Sequence, residues 1–330
     1  MKKALNSVRN QGSSKKVLIT GVAGFVGSHL TEYLLAKNIQ VTGVIHPKHS
    51  ISNIKNLINK ITVFECNIQD KRSVAKIIDK NEFDYIFHLA AYSSPAQSYS
   101  QATATLENNI FGELNLLETL VKIKSKAKVL IVGSSDEYGN VSPKYLPVKE
   151  SAPLAPISPY AVSKVAQDLL GLQFYLHHAL NTVRVRPFNH IGPRQSTAFV
   201  IPAFVAQIVK AQKENRGEIR VGNLNTYRDF TDVRDIVRAY LLALEKGESG
   251  EVYNIGSGKA YKIGDVLDKL ISMSGTKLKV IQDKKLIRES EVVKIYCDFK
   301  KFNRQTGWKP QIPIDQTLSD TMDYERRKLT

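Results

Sequence analysis

Tyr160 and Lys164, in the run Tyr160-Ala-Val-Ser-Lys164, stand four residues apart and on a helix share one face. An ammonium beside a phenol stabilises phenolate and draws the tyrosine pKa toward neutrality, which makes the hydroxyl usable as proton donor or acceptor. Ser158-Pro159 directly upstream reads as a helix start, proline being at home in the first helical position. A second hydroxyl, Ser134, follows the apolar run Val129–Gly133. In doubly wound sheets reactive groups gather at the carboxyl ends of strands. Ser134 is therefore placed to hydrogen-bond the substrate oxygen that Tyr160 protonates.

The run VLITGVAGFVGSHLTEYLL sets Gly21, Gly24 and Gly27 between a first strand and a helix. The first glycine permits a tight turn, the second lets backbone approach a pyrophosphate, and the third lets helix and strand pack closely. The helix N-terminus offers free N–H groups and a dipole to the phosphates. At the end of the second strand an acidic residue would accept the ribose 2′-hydroxyl of NAD(H). Here the segment reads Val44-Ile45-His46-Pro47-Lys48-His49, with no carboxylate, which favours NADP(H) while leaving NAD(H) possible.

These groups need a scaffold, and the hydropathy pattern supplies one. Strands are predicted at Val17–Thr20, Val41–Ile45, Ile61–Phe64, Tyr85–Leu89 and Val129–Gly133. Helices are predicted at Ser28–Lys37, 71–80, 108–123 and 159–179. Strands separated by helices argue for an α/β protein with a Rossmann-type, doubly wound parallel sheet. Beyond residue 185, Pro187, Pro193 and Pro202 loosen the pattern, and a helix is predicted over 202–214. The expected layout is a disordered lead-in over 1–15, a dinucleotide-binding domain over 16–188 and a smaller C-terminal α/β substrate domain over 189–330, with segments free to cross.

The chain has 330 residues, 42% of them hydrophobic and 24% charged, within the range of globular proteins. Cys66 and Cys297 are too few for a disulfide framework or a four-cysteine zinc site and read as reduced core thiols, so no metal is expected. No apolar run reaches the roughly 18 residues of a membrane span, and the basic start lacks an apolar stretch behind it, so a cytoplasmic enzyme with no membrane partner is expected. The 47 basic and 31 acidic side chains leave a formal net charge of +16. A non-catalytic, nucleotide-binding regulatory protein would fit that charge, but the lysines are scattered and the tyrosine–lysine pair is intact, so no nucleic-acid partner is expected.

The motifs occur in a familiar order. GxxGxxG spacing, His88-Leu-Ala-Ala91, Asn109-Ile-Phe-Gly112, Tyr160–Lys164, Arg186-Pro-Phe-Asn189, Arg228-Asp229-Phe230, Tyr253-Asn-Ile-Gly256 and Gly307-Trp308 together resemble extended short-chain dehydrogenases/reductases, the nucleotide-sugar epimerase/dehydratase family. The run from Arg186 to Lys210 looks most like reductases and 4,6-dehydratases of GDP-deoxymannose synthesis. The resemblance implies that Gly21, Gly24, Phe25, Val26 and Gly27 hold the pyrophosphate, with His46 near the adenosine ribose. Leu89, Ala90 and Ala91 would line the cofactor groove, and Tyr160 and Lys164 would also hold the nicotinamide ribose. Asn189 would touch the sugar, and Arg228 and Arg288 would clamp the diphosphate, although Glu289 replaces the proline that often follows the second arginine. It further implies a homodimer through a four-helix bundle formed by the helices near 108–123 and 159–179.

A dehydratase of this family needs an acid and a base after the Ser134 position, usually an acidic residue or serine and then glutamate. Aligning back from Tyr138-Gly139 places Ser135 and Asp136 there. Aspartate is one methylene short, and a misplacement near 1 Å costs about a hundredfold in rate. Glu137 would point to the opposite side of an extended segment, unless the loop kinks. The favoured reading is therefore NADPH-dependent reduction of the C4 keto group of a GDP-4-keto-6-deoxyhexose. A GDP-mannose 4,6-dehydratase that recycles its cofactor and an epimerase of another nucleotide sugar are the alternatives.

Overall fold

A computed structural model of the chain describes residues 14–214, 217–287 and 292–329. In chain order the elements are β1 (Lys16–Thr20), α1 (Phe25–Leu35), β2 (Gln40–Ile45), β3 (Thr62–Glu65), α2 (Lys71–Ile78), β4 (Tyr85–His88), α3 (Pro95–Ser98), α4 (Ala102–Leu106), α5 (Gly112–Lys122), β5 (Lys128–Val132), α6 (Pro159–His178) and β6 (Thr182–Pro187). There follow β7 (His190–Ile191), α7 (Val200–Glu214), β8 (Glu218–Val221), β9 (Tyr227–Arg228), β10 (Thr231–Asp232), α8 (Val233–Lys246), β11 (Val252–Ile255), β12 (Tyr261–Lys262), α9 (Ile263–Ser274), β13 (Lys279–Gln282), α10 (Lys300–Thr306) and α11 (Ile314–Leu329).

Seven strands form one sheet in the order β11-β6-β5-β4-β1-β2-β3. Every pair in it is parallel. Parallel strands covered on both faces read as continuous apolar runs because both sets of side chains are buried. In β1, Val17 and Ile19 pack with Leu30 and Leu34 of α1 and with α8, whereas Leu18 turns to the opposite face with α2, α5 and α6. A separate core holds the smaller lobe, with Phe204 and Ile208 of α7 against Leu267 of α9 and Leu318 of α11. The protein is thus α/β with a Rossmann-type sheet.

Several boundaries differ from the sequence expectation. Helix α1 begins at Phe25 rather than Ser28, because Gly24 has extended dihedrals and serves as the N-cap, which places Gly27 inside the first turn. The helix expected over 108–123 opens as a π-helical turn, Glu107–Phe111, which sends the buried Asn109 amide to Tyr92 and Ser163. Pro202 lies in the first turn of α7, where a missing N–H costs nothing. Residues far beyond 188 complete the central sheet: β11 pairs with β6, and α8 packs against α1. Of the expected lead-in, residues 1–13 lie outside the described residues. Ser14 and Lys15 are tied down, with the Ser14 hydroxyl donating to the Asn38 carbonyl at 2.7 Å and Lys15 Nζ donating to the Tyr85 hydroxyl at 2.6 Å.

Candidate active site

The glycine turn forms a floor at the carboxyl end of β1. Gly21 has φ +71, and a Cβ there would stand 3.0 Å from the Ala90 backbone. A Cβ on Gly27 would strike the Gly21 carbonyl oxygen. Thr20 Oγ1 accepts from the Leu89 and Ala90 N–H groups at 3.1 and 3.2 Å, which fixes the segment Leu89–Ala91 beside the turn. The first N–H groups of a helix lack intrahelical partners, and no side chain caps α1. A bare floor beside an uncapped helix N-terminus fits the pyrophosphate of a nicotinamide dinucleotide. Phe25 and Val26 are half-buried beside it, and the Phe25 ring lies over His190 with centroids 6.0 Å apart and planes 13° apart. His46 is exposed just past β2, its Nδ1 accepting from the Lys48 N–H at 3.2 Å.

Ser134, Asp136, Tyr160 and Lys164 meet at the carboxyl end of β5. Ser158 caps α6, its Oγ accepting from the Ala161 N–H at 3.1 Å, and this sets Tyr160 in the first turn. The Ser134 hydroxyl is near enough to Tyr160 to lower its pKa, and Asp136 lies close enough to bear on Tyr160 electrostatically. Lys164 is buried one turn on, with Nζ 5.9 Å from the Tyr160 ring centroid. That Nζ donates to the Val132 carbonyl and to Gln167 Oε1, both at 2.8 Å.

Two expectations are corrected here. The Tyr160 pKa is not drawn toward neutrality: burial, then the Asp136 carboxylate and more weakly Glu137 push it above the ordinary tyrosine value, against the lowering by the Ser134 hydrogen bond. The Lys164 ammonium is directed at Val132 and Gln167 instead of the phenol, and its own pKa is lowered by burial, opposed by Glu113 and Glu137. Secondly, residues 135–138 are not extended but form a 3-10 turn that Ser134 caps. This kink does not deliver Glu137 to the surface of the site. Its Oε1 accepts from the Ser134 N–H at 2.7 Å, its Oε2 pairs with Arg186 Nε at 2.9 Å, and its side chain is wholly buried.

Sequence reasoning missed the charged network beneath these residues. Arg186 Nη2 and Arg184 Nη1 reach Asp168 Oδ2 at 2.7 and 3.0 Å. Arg186 Nη1 donates to the Tyr138 hydroxyl at 3.0 Å, and that hydroxyl donates to Asn254 Oδ1 at 2.7 Å. The available signal was two arginines inside β6, a strand otherwise apolar, since buried charges must be paired. Also missed was Arg194, which reaches both Glu32 oxygens at 2.9 and 2.6 Å and so ties α1 to the loop after β7.

Asn189 and Arg228 lie in or beside the smaller lobe. Asn189 is half-buried between β6 and β7, its carbonyl accepting from the Thr231 N–H at 3.0 Å. Arg228 lies on β9 with Nη1 donating to the Tyr227 and Val292 carbonyls at 2.9 and 2.7 Å. Arg288 lies outside the described residues. Cys66 and Cys297 are buried free thiols, and burial raises both above the ordinary cysteine value. Among the described residues no three His, Cys, Asp or Glu side chains stand together as a metal site, and no helix is long and apolar enough to cross a membrane.

A glycine-floored dinucleotide turn with a Ser–Tyr–Lys corner beside it defines a nicotinamide-dependent enzyme of the extended short-chain dehydrogenase/reductase superfamily. The chain belongs to the GDP-mannose 4,6 dehydratase family, whose profile matches residues 18–321. It is 32% identical over 316 residues to GDP-6-deoxy-D-mannose reductase of Pseudomonas aeruginosa, a match covering 95% of this chain and 98% of the relative. The solved structure of RMD from Pseudomonas aeruginosa complexed with NADPH superposes with a TM-score of 0.83 at 31% identity, covering 96% and 100% of the two chains. UDP-glucose 4-epimerase from Thermotoga maritima, solved with UDP-glucose, gives a TM-score of 0.88 at 30% identity, covering 96% and 100%. The protein is an NAD(P)-dependent enzyme that modifies nucleotide sugars.

Proposed function

We propose that the enzyme reduces the C4 keto group of a GDP-4-keto-6-deoxyhexose with NADPH. One observation carries the choice of reductase over dehydratase. Glu137 is wholly buried and committed to Arg186 and the Ser134 N–H, which leaves Asp136 as the acid that bears most on Tyr160. Loss of water across C5 and C6 needs a placed base and a placed acid, whereas reduction needs one proton donor and an oriented carbonyl.

Gly21, Gly24, Phe25, Val26, Gly27 and the segment Leu89–Ala91 would hold the dinucleotide, with Tyr160 and Lys164 at the nicotinamide ribose. NADPH, when bound there, would supply the hydride for C4. Ser134 Oγ orients the C4 oxygen, Tyr160 Oη gives its proton to that oxygen as negative charge develops there, and Lys164 stabilises the phenolate left behind. Burial and Asp136 make Tyr160 a weaker acid than a free phenol, so the charge of Lys164 is what this direction needs to stabilise the phenolate. Asn189 would contact the sugar, and Arg228 and Arg288 the diphosphate, where a guanidinium fork pairs with phosphate oxygens. Exposed His46 and Lys48, with no neighbouring carboxylate on that segment, favour a 2′-phosphate and hence NADP(H).

Residue spacing supports a homodimer as well. Val162, Leu169 and Leu176 recur every seven residues along α6 and are 44%, 49% and 71% exposed. With Phe111, 54% exposed before α5, they offer an apolar face for the same helices of a second copy.

The family profile, named for GDP-mannose 4,6 dehydratase, favours one second reading, in which Asp136 does the work of the missing glutamate. Purified enzyme incubated with GDP-mannose alone, and separately with its 4-keto-6-deoxy derivative and NADPH, decides between them. Consumption of NADPH only with the keto sugar is expected, and turnover of GDP-mannose without added reductant would overturn the reductase reading.

A further inference from the structure

Lys164 is tied to a carboxylate that the proposed reaction leaves unused. Glu113, in the first turn of α5, is 0% exposed. Its Oε2 accepts from Gln167 Nε2 at 2.8 Å, and Gln167 Oε1 accepts from Lys164 Nζ at 2.8 Å. The chemistry orders this chain. An ammonium only donates, so the amide must turn its oxygen to Lys164 and its NH2 to Glu113, which must accept. The polarity therefore runs from cation through amide to the Glu113 carboxyl, whose pKa burial raises well above the usual carboxylate range while the Lys164 charge and the Gln167 hydrogen bond draw it back down.

The other charged or titratable groups around Lys164 are committed elsewhere. Glu137, on the 3-10 turn, is paired with Arg186. Asp168, on α6, is paired with Arg184 and Arg186. His88, on β4, is held neutral, since burial and then the Lys164 charge lower its pKa to about 3. Tyr160 is a neutral phenol, and Asp136 raises the pKa of that phenol. Glu113 has no direct ion-pair partner among the described residues, and its Oε1 has no hydrogen-bond partner there. A buried carboxylate left without a compensating charge is strongly destabilising. One amide away stands the ammonium that compensates it.

We propose that Glu113, acting through Gln167, is a positioning residue that keeps Lys164 an ammonium and holds it one turn from Tyr160, at the place where the cofactor ribose would bind. This rests on the reading of Tyr160 and Lys164 as the proton-handling pair. Burial disfavours the charged lysine, and among the charges that restore it Glu113 ranks ahead of Glu137. The proton-handling unit then spans α5 and α6 as Tyr160, Lys164, Gln167 and Glu113.

The test is NADPH binding, followed by fluorescence from pH 6 to 10, in the wild type and in Glu113→Gln, which keeps shape and loses charge. Affinity is expected to fall off with rising pH about one unit earlier in the variant, a tenfold change in the protonated fraction of Lys164. Adding Gln167→Glu to that variant returns a carboxylate to Lys164 and is expected to restore the wild-type limb. Identical limbs in wild type and Glu113→Gln, or a loss of equal size at every pH, would overturn the proposal. Should Glu113→Gln not fold, the single variant Gln167→Glu is expected to move the limb upward, and an unmoved limb overturns the proposal equally. Reduction of the keto sugar in the same series separates the two readings. Shifted binding without turnover would remove only the reductase assignment, and turnover with unmoved limbs would remove only the role of Glu113.

Discussion

The chemistry at Tyr160 is set by what surrounds one hydroxyl. Tyr160 is the proton donor of the proposed reduction, so Tyr160→Phe is expected to lower reduction of the keto sugar about 10²- to 10⁴-fold, with NADPH affinity nearly retained, as measured by single-turnover absorbance and binding titration. Asp136→Ala is expected to leave reduction largely intact, and near-complete loss in the same assay would favour the dehydratase. Acid should weaken the fold through His29, whose pKa is lowered to about 4 from an ordinary 6.5 by burial and then by Arg194. Its contribution is fully present above pH 6.5 and is lost as pH falls toward 4. Thermal unfolding from pH 4 to 7 should show a shallower pH slope in His29→Gln. At this scale the sequence was legible where chemistry depends on spacing: Ser134, Tyr160 and Lys164 do converge. It was silent on the direction of the Tyr160 shift and on the partners of Glu137 and Arg186, because burial is made by segments distant in the chain.

Elements carry the next level of constraint. Gly27 sits in the first turn of α1 with its missing Cβ directed at backbone atoms of Gly21 and Val22. Backbone cannot swing aside as a side chain can, so Gly27→Ala should displace α1 from β1. The expected outcome is a drop in melting temperature together with at least tenfold weaker NADPH binding, the second measured on protein shown by circular dichroism to be folded. Asp232 caps α8 through the Arg234 N–H at 2.8 Å and also receives the Thr317 hydroxyl at 2.7 Å. Removing such a cap costs about 1 kcal/mol. Strands β1, β2, β4 and β5 were legible as apolar runs because burial on both faces leaves no polar alternation to confuse them. The 3-10 turn at 135–138 and the π-helical turn at 107–111 were not legible, since each is defined by hydrogen bonds across three to five residues that many sequences could make.

For the whole molecule the informative surface is a stripe and not the net charge. Leu176→Glu together with Leu169→Glu is expected to yield a monomer by light scattering, without loss of secondary structure, if α6 meets a second copy. The +16 net charge suits anionic ligands, and a few arginines and lysines at the site account for only a small part of it. Strand β11 has a further consequence, for the order in which the protein is made. The partner edge of β6 cannot be covered until residue 255 has been synthesised, some 70 residues after β6 itself. A ribosome adding about 5–20 residues per second leaves that edge open for several seconds. During that interval the unpaired N–H and C=O groups of β6 are a template for other chains. Nascent chains stalled before residue 252 should therefore be the aggregation-prone species, and helpers that shield strand edges should matter most in that window.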